Sequence, residues 1–396
     1  MEYFTGVVDE WDQYYKFTFV RNKFSQLVSL WNYDSTNNKN FRWSKMPLTD
    51  YKILLLNVNR TGWHSGNMVY DMEVIKQAAD TTFYGPGWDN YQHTDIRHII
   101  DQVYKDELPD MIYTYFTPNE PVGNVYIEQY NIPQNLRMFP TGMQELWTDQ
   151  TYSKVKTAFA VSDFWSRRPE QWSADLQGSQ FQYCFSCFVP PLSRGKDFFR
   201  FLNPDVMGNP VYVALARCVD KNCFKDYGLS KEEDIITLGS MYKFYGFRRW
   251  MHAALAMHCP SKGIRYKNYP HCGTEWRHSG FVRDEYAKAI NRAHAMASCG
   301  GKFHLYYNKI FESWGCNTAY IGERPYGEAE LHMQDGVNYI AVNQSNFLDK
   351  VDHYMSNKDE LSDISENGRQ TFLQYHTLET RAQSLANTLQ EIMEGA

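Results

Sequence analysis

Residues 51–59 read YKILLLNVN, an aliphatic centre with polar ends. A run of this length without polar alternation marks a strand buried on both faces, as in a parallel sheet. Parallel strands need crossover connections, and the flanking sequence supplies them. After the loop RTGWHSGN (60–67) comes a helical pattern over 68–79, then a short strand at 81–84 ending in GPGWDN. Residues 95–104 read as helix, 111–115 as strand after the turn LPD, and 154–161 (KVKTAFAV) as a strand closing on Ser162-Asp163. The stretch 180–188 fits a last strand of this half. A crossing rich in Pro, Gly and Asn (190–210) follows.

The pattern then repeats. Strands are expected at 211–216, 234–238, 318–321 and 337–342. Helices are expected at 247–257, 283–296, 345–355, 361–371 and 378–393, with another starting at 309–314. Alternation of this kind predicts an α/β protein with two parallel-sheet halves and a helical tail.

Composition bounds the function. The 396 residues carry 46 acidic and 40 basic side chains, a net charge of −6. That balance argues against a long basic face for nucleic acid. No stretch reaches the ~20 apolar residues that span a bilayer, and the first residues lack the basic and apolar regions of a signal peptide. With that start, eight cysteines read as reduced thiols in a cytoplasmic setting. Aromatic residues are 16% of the chain, which offers flat apolar faces for sugars or bases as well as core. Trp63, Trp88 and Trp276 fall in loops.

In open α/β sheets, ligands bind beyond the carboxyl ends of the strands, so the loops there are the candidate sites. RTGWHSGN lacks both GxGxxG and GxxxxGK[ST], which leaves neither a dinucleotide fingerprint nor a P-loop. His64 within it can serve as a base or stand inert. Asp163 can accept a proton from a hydroxyl or cap a turn. Gly239, Ser240 and Lys243, with Arg248-Arg249 soon after, place small and basic residues at a strand–helix junction. Such a junction can hold a diphosphate or present a solvated basic face. Lys309 and Glu312 open a helix, where a glutamate can accept from two vicinal hydroxyls or answer the helix dipole. The CxxC at Cys184–Cys187 lies in a strand-like stretch without a second pair, so no metal site is expected. No DxD, GxSxG or HExxH occurs.

The segment KIFESWGCNTAYIGERPYGEAELHMQDGVNYIAV (309–342) resembles the C-terminal part of GT-B glycosyltransferases, nearest to the spore-maturation-protein-like group. The likeness runs through FESWGC (311–316), the strand at 318–321, the acidic residues 328–330 and Asp335-Gly336. Upstream, CVDKNCF (218–224) and ITLGSMY (236–242) resemble the family's GVDxxxF and FVGSxY elements. The likeness is close over 211–390 and only an outline over 51–165.

It implies two Rossmann-like domains facing a cleft: 1–200 for the acceptor, with an aromatic-rich lead-in over 1–50, and 201–375 for the donor. A helix at 376–396 would cross back to the first domain. It implies sugar transfer from a nucleotide-sugar donor, UDP- or GDP-linked, to a hydroxyl of a glycan or glycoconjugate, without a metal or other cofactor. Glu312 would hold the ribose. Gly239, Ser240, Lys243, Arg249 and Lys309 would meet the diphosphate, and Asp163 or His64 would supply the base. The family's EX7E pattern is broken, because His304 stands where the first glutamate would be. A non-catalytic glycan-binding module and a sugar-nucleotide epimerase are the alternatives.

Overall fold

The structure is a computed structural model that describes residues 47–59, 66–89, 91–115, 139–161, 169–187, 210–269 and 283–395. His64, Asp163, Trp63, Trp276 and the lead-in through residue 46 lie outside the described residues.

The decisive run forms β1 (Thr49–Leu56). Ile53 and Leu55 enter one apolar cluster while Leu54 and Leu56 enter another, the two-residue alternation of a strand covered on both faces. Around it lie β2 (Ala79–Tyr84), β3 (Met111–Thr114), β4 (Lys156–Val161), β5 (Tyr183–Ser186) and β6 (Val211–Ala214). They form one sheet in the order β2-β1-β3-β4-β5-β6, with every pair parallel. Strand β6 corrects the sequence reading, which gave it to the second half. Its ladder runs along β5, Tyr183 opposite Val211 through Ser186 opposite Ala214, so the first sheet extends beyond residue 200.

Helix α1 (Gly66–Ala78) covers one face of this sheet. Helices α2 (Ile96–Tyr104), α3 (Met143–Thr148) and α4 (Pro169–Leu176) cover the other through Ile99, Ile100, Met143, Leu146, Trp172 and Leu176. Asp95 caps α2, its side chain accepting from the Arg97 N–H at 2.9 Å.

The second sheet contains β7 (Glu233–Leu238), β8 (Tyr266–Tyr269), β9 (Ala293–Ser298), β10 (Ala319–Gly322) and β11 (Ile340–Ala341). The order is β11-β10-β9-β7-β8, again all parallel. The helix expected over 283–296 is cut in two. Helix α5 (Gly246–Lys262) precedes β8, and α6 (Asp284–Asn291) ends just before β9. The residues AHAMAS are a strand, not the end of a helix. Alanine favours helix in isolation, but small side chains let helices pack closely on both faces of a central strand, and that contact overrides propensity. Strand β8 (YKNY) was not foreseen at all. Helices α7 (Asn308–Gly315), α8 (Phe347–Ser356) and α9 (Lys358–Tyr375) complete the layers.

Two crossings join the halves side by side. Val219 bridges Thr377, and the Val219 N–H donates to His376 O at 3.3 Å. Lys221 pairs with Glu379 at 2.9 Å, and the Tyr306 hydroxyl donates to Cys187 O. Helix α10 (Leu378–Glu394) then lies against α1, burying Leu385, Ala386 and Leu389 with Val74 and Ile75. No described helix is long and apolar enough to cross a membrane.

Candidate functional site

In each sheet the first strand has neighbours that lead the chain away on opposite sides: β1 between β2 and β3, β7 between β8 and β9. Such a switch of direction opens a crevice at the carboxyl edge. The chemistry of the second crevice is on view.

Strand β7 is buried throughout and ends at Gly239-Ser240. Gly239 has φ 114°, and a Cβ there would come within 2.9 Å of an Arg248 guanidinium nitrogen and 3.4 Å of Lys309 Cε. Glycine is therefore required on two counts, backbone angle and space. Its missing side chain brings Arg248, from the first turn of α5, together with Lys309, from the first turn of α7.

Arg248 is 2% exposed. One terminal nitrogen donates to Ser240 O at 2.9 Å, and the other to Ser298 Oγ at 3.0 Å and Cys299 O at 3.5 Å. It thereby spans the switch point from β7 to β9. The guanidinium also lies over the Tyr245 ring, 4.3 Å from its centroid. All these partners are neutral, and Nε is buried without a hydrogen bond. A buried cation held only by dipoles carries an uncompensated charge.

Beside it, Lys309 and Glu312 share one face of α7 at i,i+3 spacing. Lys309 Nζ donates to Glu312 Oε2 at 2.7 Å, and the Tyr286 hydroxyl donates to the same oxygen at 3.1 Å. Lys309 also sits 4.8 Å from the Tyr286 ring centroid. The carboxylate is thus fixed through one oxygen by two donors. Tyr70 of α1 packs on the apolar cluster that also holds Cys223, Tyr286 and Phe311. Burial raises its phenol well above the usual range, and the Cys223 thiol and the carboxylates of Glu312 and Asp220 add to the effect.

The loop leaving β9 lies at the same edge. Its Gly300 N–H donates to Glu323 Oε2 at 3.2 Å, and His304 Nδ1 lies 3.2 Å from Glu323 Oε1.

Of the residues singled out from sequence, Gly239, Ser240, Lys309 and Glu312 come together, with His304 on the adjoining loop. Lys243 is exposed, its ammonium 5.8 Å from the Tyr242 ring centroid. Arg249 is exposed on α5, and its neighbour Arg248 is the arginine in the crevice. A step of one residue turns a helix by ~100°, so the paired arginines cannot both point inward. Trp88 is committed in part to structure: it stacks on Phe83 at 4.9 Å, and its Nε1 donates to Asn57 O at 3.0 Å. Tyr286, Ser298 and Glu323 were missed. Tyr286 was legible only as an apolar position of its helix.

Residues 247–387 match the family model described as glycosyl transferase-like. No curated protein sequence matches the chain. Solved structures do. HepE of Anabaena, in complex with UDP-glucose, aligns at TM-score 0.51 and 10% identity over 86% of this chain and 99% of its own. Sucrose-phosphate synthase from Thermosynechococcus elongatus aligns at 0.51 and 9%, over 87% and 100%. A glycosyltransferase from Rickettsia africae aligns at 0.50 and 11%, over 88% and 100%. The fold is the GT-B architecture of two Rossmann-like domains, and residues 247–387 are similar in sequence to the glycosyl transferase-like family.

Proposed function

We propose that the protein is a glycosyltransferase that moves a sugar from a nucleotide donor to a hydroxyl of a glycan or glycoconjugate. The observation that carries this reading is Arg248, a buried guanidinium with only neutral partners, packed on Gly239 beside Lys309. A diphosphate is the anion that matches: forked donors and a point charge together answer its oxygens, and the same groups stabilise it as it leaves. These two cations supply positive charge that a bound metal would otherwise bring, which supports a metal-independent reaction. Glu312, steadied by Lys309 and Tyr286, is suited to accept from the two ribose hydroxyls. The UDP-glucose complex of HepE favours a UDP-linked donor, with GDP next. Asp163 follows β4 in sequence and His64 follows β1. Either is proposed as the base that takes the proton of an acceptor hydroxyl brought into line with the anomeric carbon.

A thermal-shift series with UDP, GDP, CMP and dTDP tests the donor site, followed by hydrolysis assays on the matching sugar nucleotides. Stabilisation by one nucleotide, lost in Arg248→Met and in Glu312→Ala, is the expected result. No stabilisation at millimolar nucleotide overturns it. Stabilisation without turnover on any sugar nucleotide points to a binding module.

A further inference from the structure

His376 sits where the chain passes from the second half back to the first, between α9 and α10. It is 1% exposed, and the elements around the crossing meet on it. Its N–H donates to Phe372 O at 2.9 Å, which closes α9, and its carbonyl accepts from the Val219 N–H of the other crossing. Its ring stacks on Phe311 of α7, with 4.2 Å between centroids and 17° between planes. Nε2 lies 3.0 Å from Leu331 O, in the connection from β10 to β11. The Arg381 guanidinium of α10 stands 3.5 Å from Nδ1.

These partners fix the proton. A carbonyl only accepts, so Nε2 carries the hydrogen. A guanidinium only donates, so Nδ1 offers its lone pair. A second proton, on Nδ1, would set two donors and two positive charges face to face in a buried site. The other groups round the ring give no relief. His332, on the Leu331 connection, is 6.5 Å away between centroids and stacks on Tyr375 at 3.7 Å. Helices α7 and α9 present Phe311, Trp314 and Tyr375. Glu379, the acid in the first turn of α10, is turned to Lys221. Burial therefore holds the His376 imidazole well below its usual range. Arg381 and His332 lower it further, and the bond to Leu331 O opposes them only in part.

We propose that His376 is a pH-sensitive pin: with its ring neutral it locks the crossing between the halves, and with a second proton it leaves its place and unlocks them. A ring that has left titrates near 6.5, above its value in the locked state. The lock is thus complete above about pH 6.5 and weakens about tenfold for each unit below it, until the locked value is reached. Nothing in this device needs a nucleotide, so its test is separate from that of the donor site.

Hydrogen exchange of the full chain tests it, read by mass spectrometry between about pH 7.5 and 5.5 and corrected for intrinsic rates. The segments followed are 216–224 and 372–384, with α5 as the internal reference. The opening constant of both segments is expected to rise about tenfold from pH 6.5 to 5.5, with α5 unchanged. His376→Gln keeps a donor for Leu331 O and cannot take a charge, so the rise should vanish. Arg381→Met removes the opposing cation, lets the locked ring take a proton sooner and should cut the rise to about threefold. His332→Asn suits the left-handed backbone at φ 54° and should leave the rise in place. An equal rise in α5 overturns the proposal, because the whole fold then gives way to acid. A flat wild type overturns it too, as does a rise that persists in H376Q or is lost in H332N. If H376Q does not fold, an undiminished rise in R381M overturns it instead.

Discussion

The two ends of the second sheet treat charge in opposite ways. At the amino end, Asp234 accepts from the Arg265 main chain at 2.8 Å, from its guanidinium at 3.1 and 3.3 Å, and from Lys358 at 2.6 Å. Glu233 nearby is met by Lys267 at 3.2 Å and Tyr269 at 3.1 Å. At the carboxyl end, Arg248 is as deeply placed as Asp234 yet meets only carbonyls, a hydroxyl and a ring. Opposite charges spent on each other hold a fold. A cation left with dipoles is set for a partner that arrives later.

The sharpest break of this comparison is Arg248→Met. Affinity for the nucleoside diphosphate should fall roughly a hundredfold by calorimetry. The melting temperature should hold or rise, because an apolar side chain of similar volume replaces an uncompensated charge. A lower melting temperature with binding intact would make Arg248 structural and erase the contrast. Glu312→Gln should weaken nucleotide binding about tenfold and leave the fold in place, since Tyr286 and Lys309 lose a charged acceptor but keep a polar one.

At the other end the signs reverse. Asp234→Ala should cost about 2 kcal/mol in denaturant unfolding and leave nucleotide affinity unchanged. Burial pushes the Asp234 carboxyl up, but Arg265 and Lys358 overcome that and hold it well below the usual range. A depressed carboxyl contributes stability above its unfolded value of about 3.9. It loses that contribution as pH falls through the folded value. The gap between wild type and Asp234→Ala should therefore close in acid.

The smallest effect concerns Lys231, which precedes β7. Burial lowers its ammonium to about 8 while it donates to Asn291 O and Asn317 O, each at 2.8 Å. Between about pH 8 and 10.4 the unfolded chain keeps a proton that the folded chain has released. Stability should rise across that window, and Lys231→Met should abolish the rise.

What the sequence made legible follows from where its signals come from. Strand β1 and the ILLL core were readable because burial on both faces leaves a composition that nothing else explains. The loops after β7 and at the start of α7 were readable because small, basic and acidic residues fall at strand–helix junctions. Strand β9 was not, since Ala-rich sequence favours helix until two layers of helices press on it. Arg248 and Arg249 sit side by side, and only the rotation of α5 decides between them. Tyr286 and Glu323 act on groups 26 and 19 residues away in the chain, and no local spacing announces such pairs. Likewise β6 belongs to the first sheet by its ladder with β5, while the sequence before it reads as a break.

Helix α10 has a consequence for synthesis. A ribosome adds ~5–20 residues per second, so α10 is made on the order of ten seconds or more after β6. Through that interval Leu55, Val74, Ile75, Met111 and Phe185 lack part of their cover, because Leu385, Leu389 and Ile392 do not yet exist. The half that is translated first is thus finished last. Nascent chains stalled between β6 and α10 should be the ones that chaperones hold most tightly.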